Sequence, residues 1–498
     1  MDVSSLHRVG VVGLLAWLAG CAPEEPGNRA RPQGGGTVDT GDTDAPDDTG
    51  DTGPAPEPAC IATRFAALGE AWTLPGDLGD DAFPSLHGGV TEVGAWRPVR
   101  IDGKPALLVL GAAPALGEAL TPGATLYVAE GAGFGAPARY DLPASLDVAK
   151  LGEEPPDAEA PRGDGVVAGV AAPGEAAWWL QDLDGDGTTD LLVAGDEAAP
   201  GWTFHAGSAV GLADGVPWRM PEELAALVGT GQADMDDRDG VDGWRVDMDG
   251  DGLQDVFVLR PATTTPSRGS GAAIAQVYRN TGSGFAEAAE WAVPETLATG
   301  MDTGRHALVD LDGDHRPDFV GAPAAPGAAG WQVHRNTGTG FEAGPVTLAL
   351  PDGYPEGTFD DPHGGMGRDV AWSLRDLDGD GVADIVVTWD ARSAEEPDTA
   401  ATAPGPVGTA RWMIHAGTPG LGGFAPAADF LLPTGFPEAT FENLDAAAET
   451  SPAWGLADLD TDGTTDLVVT AWDRGPEDGI GTTSWRLYRG VCEIDPAR

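Results

Sequence analysis

The chain has 498 residues, of which 41% are hydrophobic, so it is long enough to bury a sizeable core in one large domain or several smaller ones. Its 80 acidic residues against 27 Lys and Arg give a formal net charge of −53, and its 74 Gly and 42 Pro predict many short turns rather than long helices. Because nucleic acids and anionic membrane surfaces are bound through basic patches, this charge argues against both as partners.

The first 21 residues predict a targeting segment rather than part of the fold. Arg8 precedes an apolar run, Val9 to Ala19, that is too short to span a bilayer. The run ends in Leu-Ala-Gly-Cys at residues 18–21, which resembles the lipobox of bacterial lipoproteins. The resemblance implies cleavage before Cys21 and lipidation of this cysteine, which predicts an exported protein anchored to the bacterial outer membrane, facing the periplasm or the cell surface. An ordinary secretory signal that ends in Cys is the alternative.

Residues 22–59 predict a disordered tether, because Pro, Gly, Asp and Thr dominate the stretch and leave almost nothing to bury. A flexible coil of this length has a root-mean-square reach of roughly 35 Å, enough to hold a folded domain clear of a lipid surface. Residues 60–498 are predicted to form that domain. No other stretch of the sequence is long and apolar enough to predict a transmembrane helix.

An acidic segment of the form Asp-x-Asp-x-Asp-Gly-x-x-Asp recurs in the predicted domain. Each copy lies between two strand-like runs and is followed by a third run. In every unit except the last, a Gly-rich turn and a fourth run that ends in Pro come next. The repeating order of strand, acidic loop and strand predicts one four-stranded unit for each copy. The five copies start at Asp182, Asp247, Asp310, Asp376 and Asp458.

The fourth strand of each unit is marked by an apolar residue, usually Phe, and a Pro that follows it. One such pair, Phe65 and Pro75, stands alone at the N-terminus, whereas the last unit ends without a fourth strand. The two fragments complete one another, which predicts a closed ring rather than a linear stack. The other pairs are Phe134/Pro143, Leu212/Pro221, Phe285/Pro294, Phe341/Pro351 and Phe424/Pro433.

The predicted fold is therefore all-β: a β-propeller of six four-stranded blades, closed by pairing of the N-terminal strand with the C-terminal blade. Seven blades are the alternative if one unit is too diverged to recognise. The first full unit keeps only Asp102 of the acidic pattern, in a loop two residues shorter, and is predicted to hold no cation. Insertions rich in Pro, Gly and Glu predict surface loops around residues 144–175 and 390–410.

Two cysteines other than Cys21 lie near the ends of the predicted domain. The spacing between third and fourth strands in the other units, applied to Trp485 and Phe65, brings Cys60 and Cys492 within about two positions of each other. Exported proteins meet oxidising conditions, so a disulfide between Cys60 and Cys492 is predicted to replace the turn found in the other units. Two unpaired thiols are the alternative.

The first acidic loop predicts a cation cage. Asp182, Asp184, Asp186 and Asp190 occupy positions 1, 3, 5 and 9, and the main-chain carbonyl of Thr188 at position 7 can point to the same centre. An oxygen-only shell of this size suits Ca²⁺ better than Mg²⁺. The absence of His and Cys from the loop argues against zinc and copper.

Five such loops in phase with a strand repeat resemble the FG-GAP/VCBS repeats of integrin α-like propellers. The resemblance implies about five structural Ca²⁺ sites and no catalytic role for the ions. In the loop at 310, His315 replaces the Gly and Pro317 follows, which predicts weaker binding, and the acidic stretch 234–240 has the wrong phase. The ligands implied outside the first loop are Asp247, Asp249, Asp251, Leu253 and Asp255; Asp310, Asp312, Asp314, Arg316 and Asp318; Asp376, Asp378, Asp380, Val382 and Asp384; and Asp458, Asp460, Asp462, Thr464 and Asp466.

The sequence favours a binding protein over an enzyme. It contains no G-x-S-x-G, no H-E-x-x-H and no phosphate-binding Gly loop. His205, His334 and His415 share one repeat position, which predicts separate blades rather than a metal cluster, and the recurrent Trp residues are interpreted as packing. An Arg-Gly-Asp triplet at 162–164 is interpreted as a chance occurrence.

Three hypotheses follow for function. The first is a monomeric, membrane-anchored binding or adhesion module for a protein or glycan. The second is a carbohydrate-active or other hydrolytic enzyme with acidic residues in the propeller funnel, and the third is a passive scaffold of the envelope. Because propellers also support hydrolases and lyases, the missing motifs leave the second hypothesis open.

Overall fold

The computed structural model describes most of the predicted domain. Within the described residues, no helix combines the length and the apolarity needed to cross a membrane. The described ranges are 60–76, 83, 86, 89–91, 94–111, 123–146, 167–169, 178–194, 201–228, 242–261, 273–291, 306–321, 330–362, 364–366, 369–394, 406–438, 440–442, 444, 452–472 and 480–494.

The chain starts with two strands whose partners lie far away in sequence, and then builds antiparallel sheets one after another. The starting strands are β1 (Cys60–Phe65) and β2 (Glu70–Thr73). Blade 1 consists of β3 (Gly89–Thr91), β4 (Gly94–Ile101), β5 (Lys104–Gly111), β6 (Gly123–Val128) and β7 (Ala138–Asp141). Blade 2 consists of β8 (Val167–Gly169), β9 (Trp178–Gln181), β10 (Asp190–Ala194), β11 (Trp202–His205) and β12 (Val216–Trp218). Blade 3 consists of β13 (Asp242–Val246), β14 (Asp255–Pro261), β15 (Ala273–Tyr278) and β16 (Ala289–Trp291).

The second half of the chain repeats the same antiparallel order. Helices are short: α1 (Glu222–Val228) follows blade 2, and a 3₁₀ turn (Ala391–Ala394) follows the second long strand of blade 5. Blade 4 consists of β17 (His306–Val309), β18 (Asp318–Gly321), β19 (Gly330–His334) and β20 (Val346–Ala349). Blade 5 consists of β21 (Gly365–Met366), β22 (Val370–Arg375), β23 (Asp384–Asp390), β24 (Arg411–His415) and β27 (Ala428–Leu431), with a small hairpin of β25 (Gly417–Thr418) and β26 (Gly423–Phe424) before its last strand. Blade 6 consists of β28 (Ala453–Ala457), β29 (Asp466–Ala471), β30 (Ser484–Tyr488) and β2, and the chain ends with β31 (Gly490–Ile494).

Six blades confirm the predicted all-β propeller, and the described residues form no seventh. Each blade has the four strands that the repeat predicts, in the predicted order. Blades 1, 2 and 5 carry an additional short strand, β3, β8 or β21, paired with their first long strand. The insertion at 144–175 is therefore not only a loop, because it contributes β8 to blade 2.

The ring closes through the two ends of the domain, as predicted. β2 pairs antiparallel with β30, and Trp72 lies opposite Trp485. β1 pairs antiparallel with β31, and a single parallel contact joins Arg64 of β1 to Leu431 of blade 5. A pair of strands thus stands where the other blades have a turn.

The two cysteines of the closing strands are not direct cross-strand partners. In the register of β1 and β31, Cys60 lies opposite Ile494 and Ala62 lies opposite Cys492, so the cysteines are offset by two positions. The side chains of both cysteines lie outside the part of the structure that is described. Main-chain pairing closes the ring in this structure, and the Cys60–Cys492 disulfide stays a prediction.

The hydrophobic core lies between the blades rather than inside any one of them. Six clusters of buried side chains fill the six interfaces between neighbouring blades. At the closing interface, Trp72 and Trp485 of blade 6 pack with Trp96 and Phe134 of blade 1. A blade removed from the ring would expose two such faces. This exposure is unfavourable, because apolar burial is the main stabilising term in folding.

A main-chain clasp joins three successive pairs of blades: 6 to 1, 1 to 2 and 2 to 3. Each clasp is a main-chain bridge between two blades. One partner lies at, or just after, the end of the fourth strand of a blade. The other is a Gly in the turn between the third and fourth strands of the next blade, directly before the apolar residue of the repeat. At Gly211 a Cβ would lie only 2.4 Å from the carbonyl oxygen of Asp141, so glycine is required for the close approach. The parallel bridges join Thr73 to Gly133, Asp141 to Gly211 and Arg219 to Gly284.

Antiparallel order places the connections alternately at the two ends of the ring. The loops between first and second long strands and the turns between third and fourth strands leave at one end, which we call the loop end. The connections between second and third strands, and those between blades, leave at the opposite end, the connection end. The acidic segments therefore all lie at the loop end.

Candidate cation-binding loops

Each acidic loop is held by the carboxylate at its ninth position, which is also the first residue of the second long strand. Asp190 accepts hydrogen bonds from the main-chain N–H of Leu183 at 2.9 Å and of Gly207, just after the third strand, at 2.8 Å. The position-9 residues of all five loops are fully buried. They make the same pair of bonds, which fasten the loop to the third strand.

The carboxylate at position 1 turns the loop back on itself. Asp182 accepts from the N–H of Gly185 and of Gly187, both at 2.8 Å. Gly187 has a φ of 84°, in the left-handed region that glycine adopts without strain. At position 5, Asp186 accepts from the N–H of Thr188 at 2.8 Å. Local hydrogen bonds therefore account for the spacing of Asp and Gly in the repeat.

Three carboxylates converge in each of the five loops. One oxygen from each member of a trio lies within 4.8 Å of the oxygens of the other two, close enough to share a metal ion. The trio uses positions 1, 3 and 9 in four loops and positions 1, 3 and 5 in the loop at 247. The trios are Asp182, Asp184 and Asp190; Asp247, Asp249 and Asp251; Asp310, Asp312 and Asp318; Asp376, Asp378 and Asp384; and Asp458, Asp460 and Asp466.

Other predicted ligands lie in the same loops but outside these trios. They are the position-5 residues Asp186, Asp314, Asp380 and Asp462, the position-9 residue Asp255, and the position-7 residues Thr188, Leu253, Arg316, Val382 and Thr464. The position-5 carboxylates each accept the N–H of position 7, which brings the main chain of position 7 alongside the trio. Their role as ligands stays a prediction.

Burial of like charges perturbs these carboxyls strongly. Burial, with a further contribution from neighbouring carboxylates, raises the pKa of Asp190 and Asp255 to about 7, against an ordinary value of 3.8. The same causes raise the pKa of Asp318 and Asp466 to about 8. Burial followed by the charge of Asp378 raises the pKa of Asp384 well above its ordinary range. A bound divalent cation would remove this electrostatic cost.

The donor set fits a hard cation such as Ca²⁺. Only carboxylate and carbonyl oxygens are offered, and Oδ1 of Asp249 and Oδ1 of Asp312 are buried oxygens with no hydrogen-bond donor. A buried carboxylate oxygen without a partner is unfavourable unless an ion completes it. The clusters could therefore hold metal ions.

The loop at 310 differs from the other four in the way the sequence predicts. His315 occupies the Gly position with a φ of 63°, and its N–H still reaches Asp310 at 2.7 Å. The Arg316 guanidinium forms an ion pair with Asp314 at position 5. This positive charge beside the carboxylates adds a second reason for weaker cation binding.

Neighbouring loops touch one another along the loop end. The Nδ2 group of Asn280, in blade 3, donates to the carbonyl of Leu183 in the loop of blade 2 at 2.9 Å, and Asn336 of blade 4 donates in the same way to Met248. The N–H of Ala383 donates to the carbonyl of Asp310 at 3.1 Å. The loops thus form a hydrogen-bonded row across blades 2 to 5.

The described residues of blade 1 form no carboxylate cluster, and the loop of this blade is shorter than predicted. Asp102 and Gly103 alone connect β4 to β5, both with positive φ, in a tight hairpin turn. Gly103 donates its N–H to the carbonyl of Gly187 at 2.7 Å. The turn therefore supports the neighbouring loop of blade 2.

The histidine and tryptophan predictions are confirmed. Three equivalent histidines, His205, His334 and His415, each place Nδ1 2.8–3.0 Å from a main-chain carbonyl oxygen of the same blade. These side chains therefore hydrogen-bond to the turns between third and fourth strands. Trp331 and Trp412 are completely buried, in keeping with packing rather than ligand binding.

A second repeat, which the sequence analysis missed, lies in the connections between blades 4, 5 and 6. Residues 354–359 (YPEGTF) and 436–441 (FPEATF) place a Thr-Phe pair at equivalent points. In the first copy, the carbonyls of Thr358 and Phe359 accept hydrogen bonds from Nε1 of Trp372 and Trp331, each at 2.8 Å. The second copy does the same for Trp454 and Trp412. The shared Pro-Glu-x-Thr-Phe letters are the signal that could have revealed it.

Some sequence predictions concern residues outside the described ranges. These are the targeting segment with Cys21, the tether at 22–59, the acidic stretch at 234–240 and the Arg-Gly-Asp triplet at 162–164.

Comparison with known proteins finds one family and several solved structures. Residues 247–321, from the acidic loop of blade 3 to the second strand of blade 4, match the FG-GAP-like repeat. A lectin of Agrocybe aegerita, described for recognition of non-reducing terminal N-acetylglucosamine, shares 18% identity with a TM-score of 0.39, covering 76% of this chain and 75% of the lectin. TcdB2-TccC3 without its hypervariable C-terminal region shares 19% identity with a TM-score of 0.25, covering 64% of this chain and 14% of that one. No curated protein sequence matches. At these identities and TM-scores the structural likenesses assign no ligand to this chain.

Proposed function

Because this chain is a β-propeller of six blades built from FG-GAP-like repeats, we propose that it is a calcium-stabilised binding module held at a membrane surface by a lipid anchor. The observation that carries the proposal is the set of five equivalent carboxylate trios at the loop end of the ring. The trios recur at the same point of successive blades, and their position-9 carboxylates fasten the loop to the third strand, so the clusters suit structural ions.

The proposed calcium ions act on stability. In each loop the carboxylates at positions 1, 3, 5 and 9 and the carbonyl at position 7 would hold the ion, which would balance charges that otherwise repel. The position-9 carboxylate already bonds to the end of the third strand, so an ion bound there would join three strands of one blade. Binding to the folded state alone stabilises it by mass action.

The proposed ligand surface lies at the connection end. The proposed ions would lie at the loop end, among short turns, whereas the connections that leave the opposite end vary in length from blade to blade. Variable connections on a rigid scaffold are where proteins usually place recognition. The partner we propose is a protein or a glycan that is not itself strongly anionic, since the net charge of −53 would repel polyanions.

The proposed anchor explains how such a module would be displayed. Lipidation at Cys21 would leave residues 22–59 as a spacer between the lipid and the first strand of the ring. Because β1 and β31 pair, both ends of the domain lie in the same region, next to the proposed attachment point.

Arrays of glycans and of envelope proteins probed with the purified full chain test this proposal. The expected result is a defined set of ligands bound in Ca²⁺ and lost in EDTA, with Mg²⁺ as the matched control that restores little binding. Binding that is indifferent to EDTA would remove calcium from the proposal. Turnover of a bound glycan would favour the hydrolytic enzyme instead, and no binding on either array would favour the passive scaffold.

A further inference from the structure

In blades 3, 4 and 6, an arginine is ion-paired to the position-3 carboxylate of the acidic loop. In blade 3, Nη1 of Arg279 lies 3.0 Å from Oδ2 of Asp249. In blade 4, Nε of Arg335 lies 3.5 Å from Oδ2 of Asp312. In blade 6, Arg489 is ion-paired with Asp460 in the same way. Each arginine follows directly on the third strand of its own blade.

Blade 2 supplies a natural comparison. Ala206 stands at the position of Arg279, one residue before the Gly207 N–H that bonds Asp190. Blade 5 has Ala416 at the same position of the repeat.

The arginines are held in place from the other side as well. Nη2 of Arg279 donates to the carbonyl of Gly338 in the next blade, and Nη2 of Arg335 donates to the carbonyl of Gly420 at 2.7 Å. Each guanidinium therefore joins the acidic loop of one blade to the turn of the following blade. Because of this second bond, the charge stays beside the position-3 carboxylate when another ion approaches.

We propose that this arginine is a determinant of cation affinity, which weakens binding in its own loop. The inference rests on the proposed calcium binding. A divalent ion in the loop of blade 3 or 4 must share its position-3 carboxylate with a fixed positive charge and is repelled by that charge. The loop of blade 2 lacks this counter-charge at the equivalent position and binds more tightly. The loop at 310 binds the cation most weakly, because Arg335 pairs with Asp312 at position 3 and Arg316 pairs with Asp314 at position 5.

Reciprocal substitutions test the proposal by calcium titration calorimetry on the purified full chain. Arg279→Gln should tighten one weak site by about tenfold, the effect expected from removing one partly screened unit charge. Ala206→Arg should weaken one tight site by a similar factor. Arg279→Lys, which keeps the charge, should behave like the native chain. Arg219→Gln is the matched control, because it removes an exposed arginine that pairs with Glu287 away from the loops.

The outcomes separate this inference from the calcium proposal itself. No heat of calcium binding in any variant would overturn the proposed function. Binding with unchanged affinities in Arg279→Gln and Ala206→Arg would leave that function standing and overturn the role of the arginine. A merely structural arginine predicts weaker or unchanged binding on its removal, so a gain in affinity in Arg279→Gln, with unchanged affinity in the Arg219→Gln control, identifies the counter-charge.

Discussion

Removal of calcium is expected to destabilise the propeller much more at pH 8 than at pH 5. The perturbation is EDTA against excess Ca²⁺, applied at both pH values to the same protein. The reason lies in the position-9 carboxyls, which are buried beside other carboxylates. In the folded, calcium-free state these groups bind protons near neutral pH, whereas the same groups in the unfolded chain have lost theirs.

The sign and size of the effect follow from the raised pKa values. Asp190 and Asp255 have pKa values of about 7, and Asp318 and Asp466 of about 8, against 3.8 for an unperturbed carboxyl. The folded state then binds more protons than the unfolded state between about pH 4 and pH 8, so stability falls as pH rises through this window. Three to four pKa units correspond to about 4–6 kcal/mol for each group. This is an upper value, since a loop can open and hydrate its carboxylates.

Thermal unfolding in four conditions measures the effect. In EDTA, the melting temperature should fall from pH 5 to pH 8; in Ca²⁺ it should stay nearly level, because the ion replaces the protons. Asp190→Asn should remove part of the pH dependence in EDTA, and Asp102→Asn, in the exposed turn of blade 1, should leave it unchanged. Equal melting temperatures in EDTA at the two pH values would refute the argument that the loops bury mutually repelling charge.

Three further outcomes are expected. Gly211→Ala should cost about 2–4 kcal/mol in urea unfolding, because its Cβ would lie 2.4 Å from a carbonyl oxygen of blade 1 and break the clasp, whereas Gly344→Ala, with open space around it, should cost little. Deleting residues 60–76 should cause aggregation by exposing an edge strand of blade 6, measured by light scattering, while deleting 22–58 should leave the domain soluble. Cys21→Ser should move the exported protein from the membrane to the soluble fraction, and identical fractionation of both forms would contradict the predicted lipid anchor.

The ring was predictable from the sequence because its strongest signals are local and repeat. Acidic loops in phase with Phe-to-Pro pairs specify four strands for each blade, and the unmatched ends at Phe65 and Trp485 specify closure. Asp and Gly spacing within one loop likewise predicts which residues face a common centre, since local hydrogen bonds set that geometry.

Features that depend on contacts between blades were not predictable in the same way. Arg279 and Asp249 are separated by the whole of two strands, and no periodicity links a guanidinium to a particular carboxylate. The additional strands β3, β8 and β21 have two or three residues each, too few for an alternating pattern to be recognised. The spacing of the repeats correctly placed Cys60 within about two positions of Cys492, but it did not reveal the β-bulge at residues 62–64.

Closure by the chain ends also determines when the molecule can finish folding. The bond from Nε1 of Trp485 to the carbonyl of Phe83 spans 402 positions of sequence, and β2 finds its partner strand only in the last blade. The chain is synthesised from its N-terminus, so β1 and β2 are made long before the strands with which they pair. Long-range pairing of this kind slows folding, since chain entropy is lost before the contacts form. The final step should be the pairing of β30 and β31 with these first strands, and a chain truncated at its C-terminus would stay an open arc.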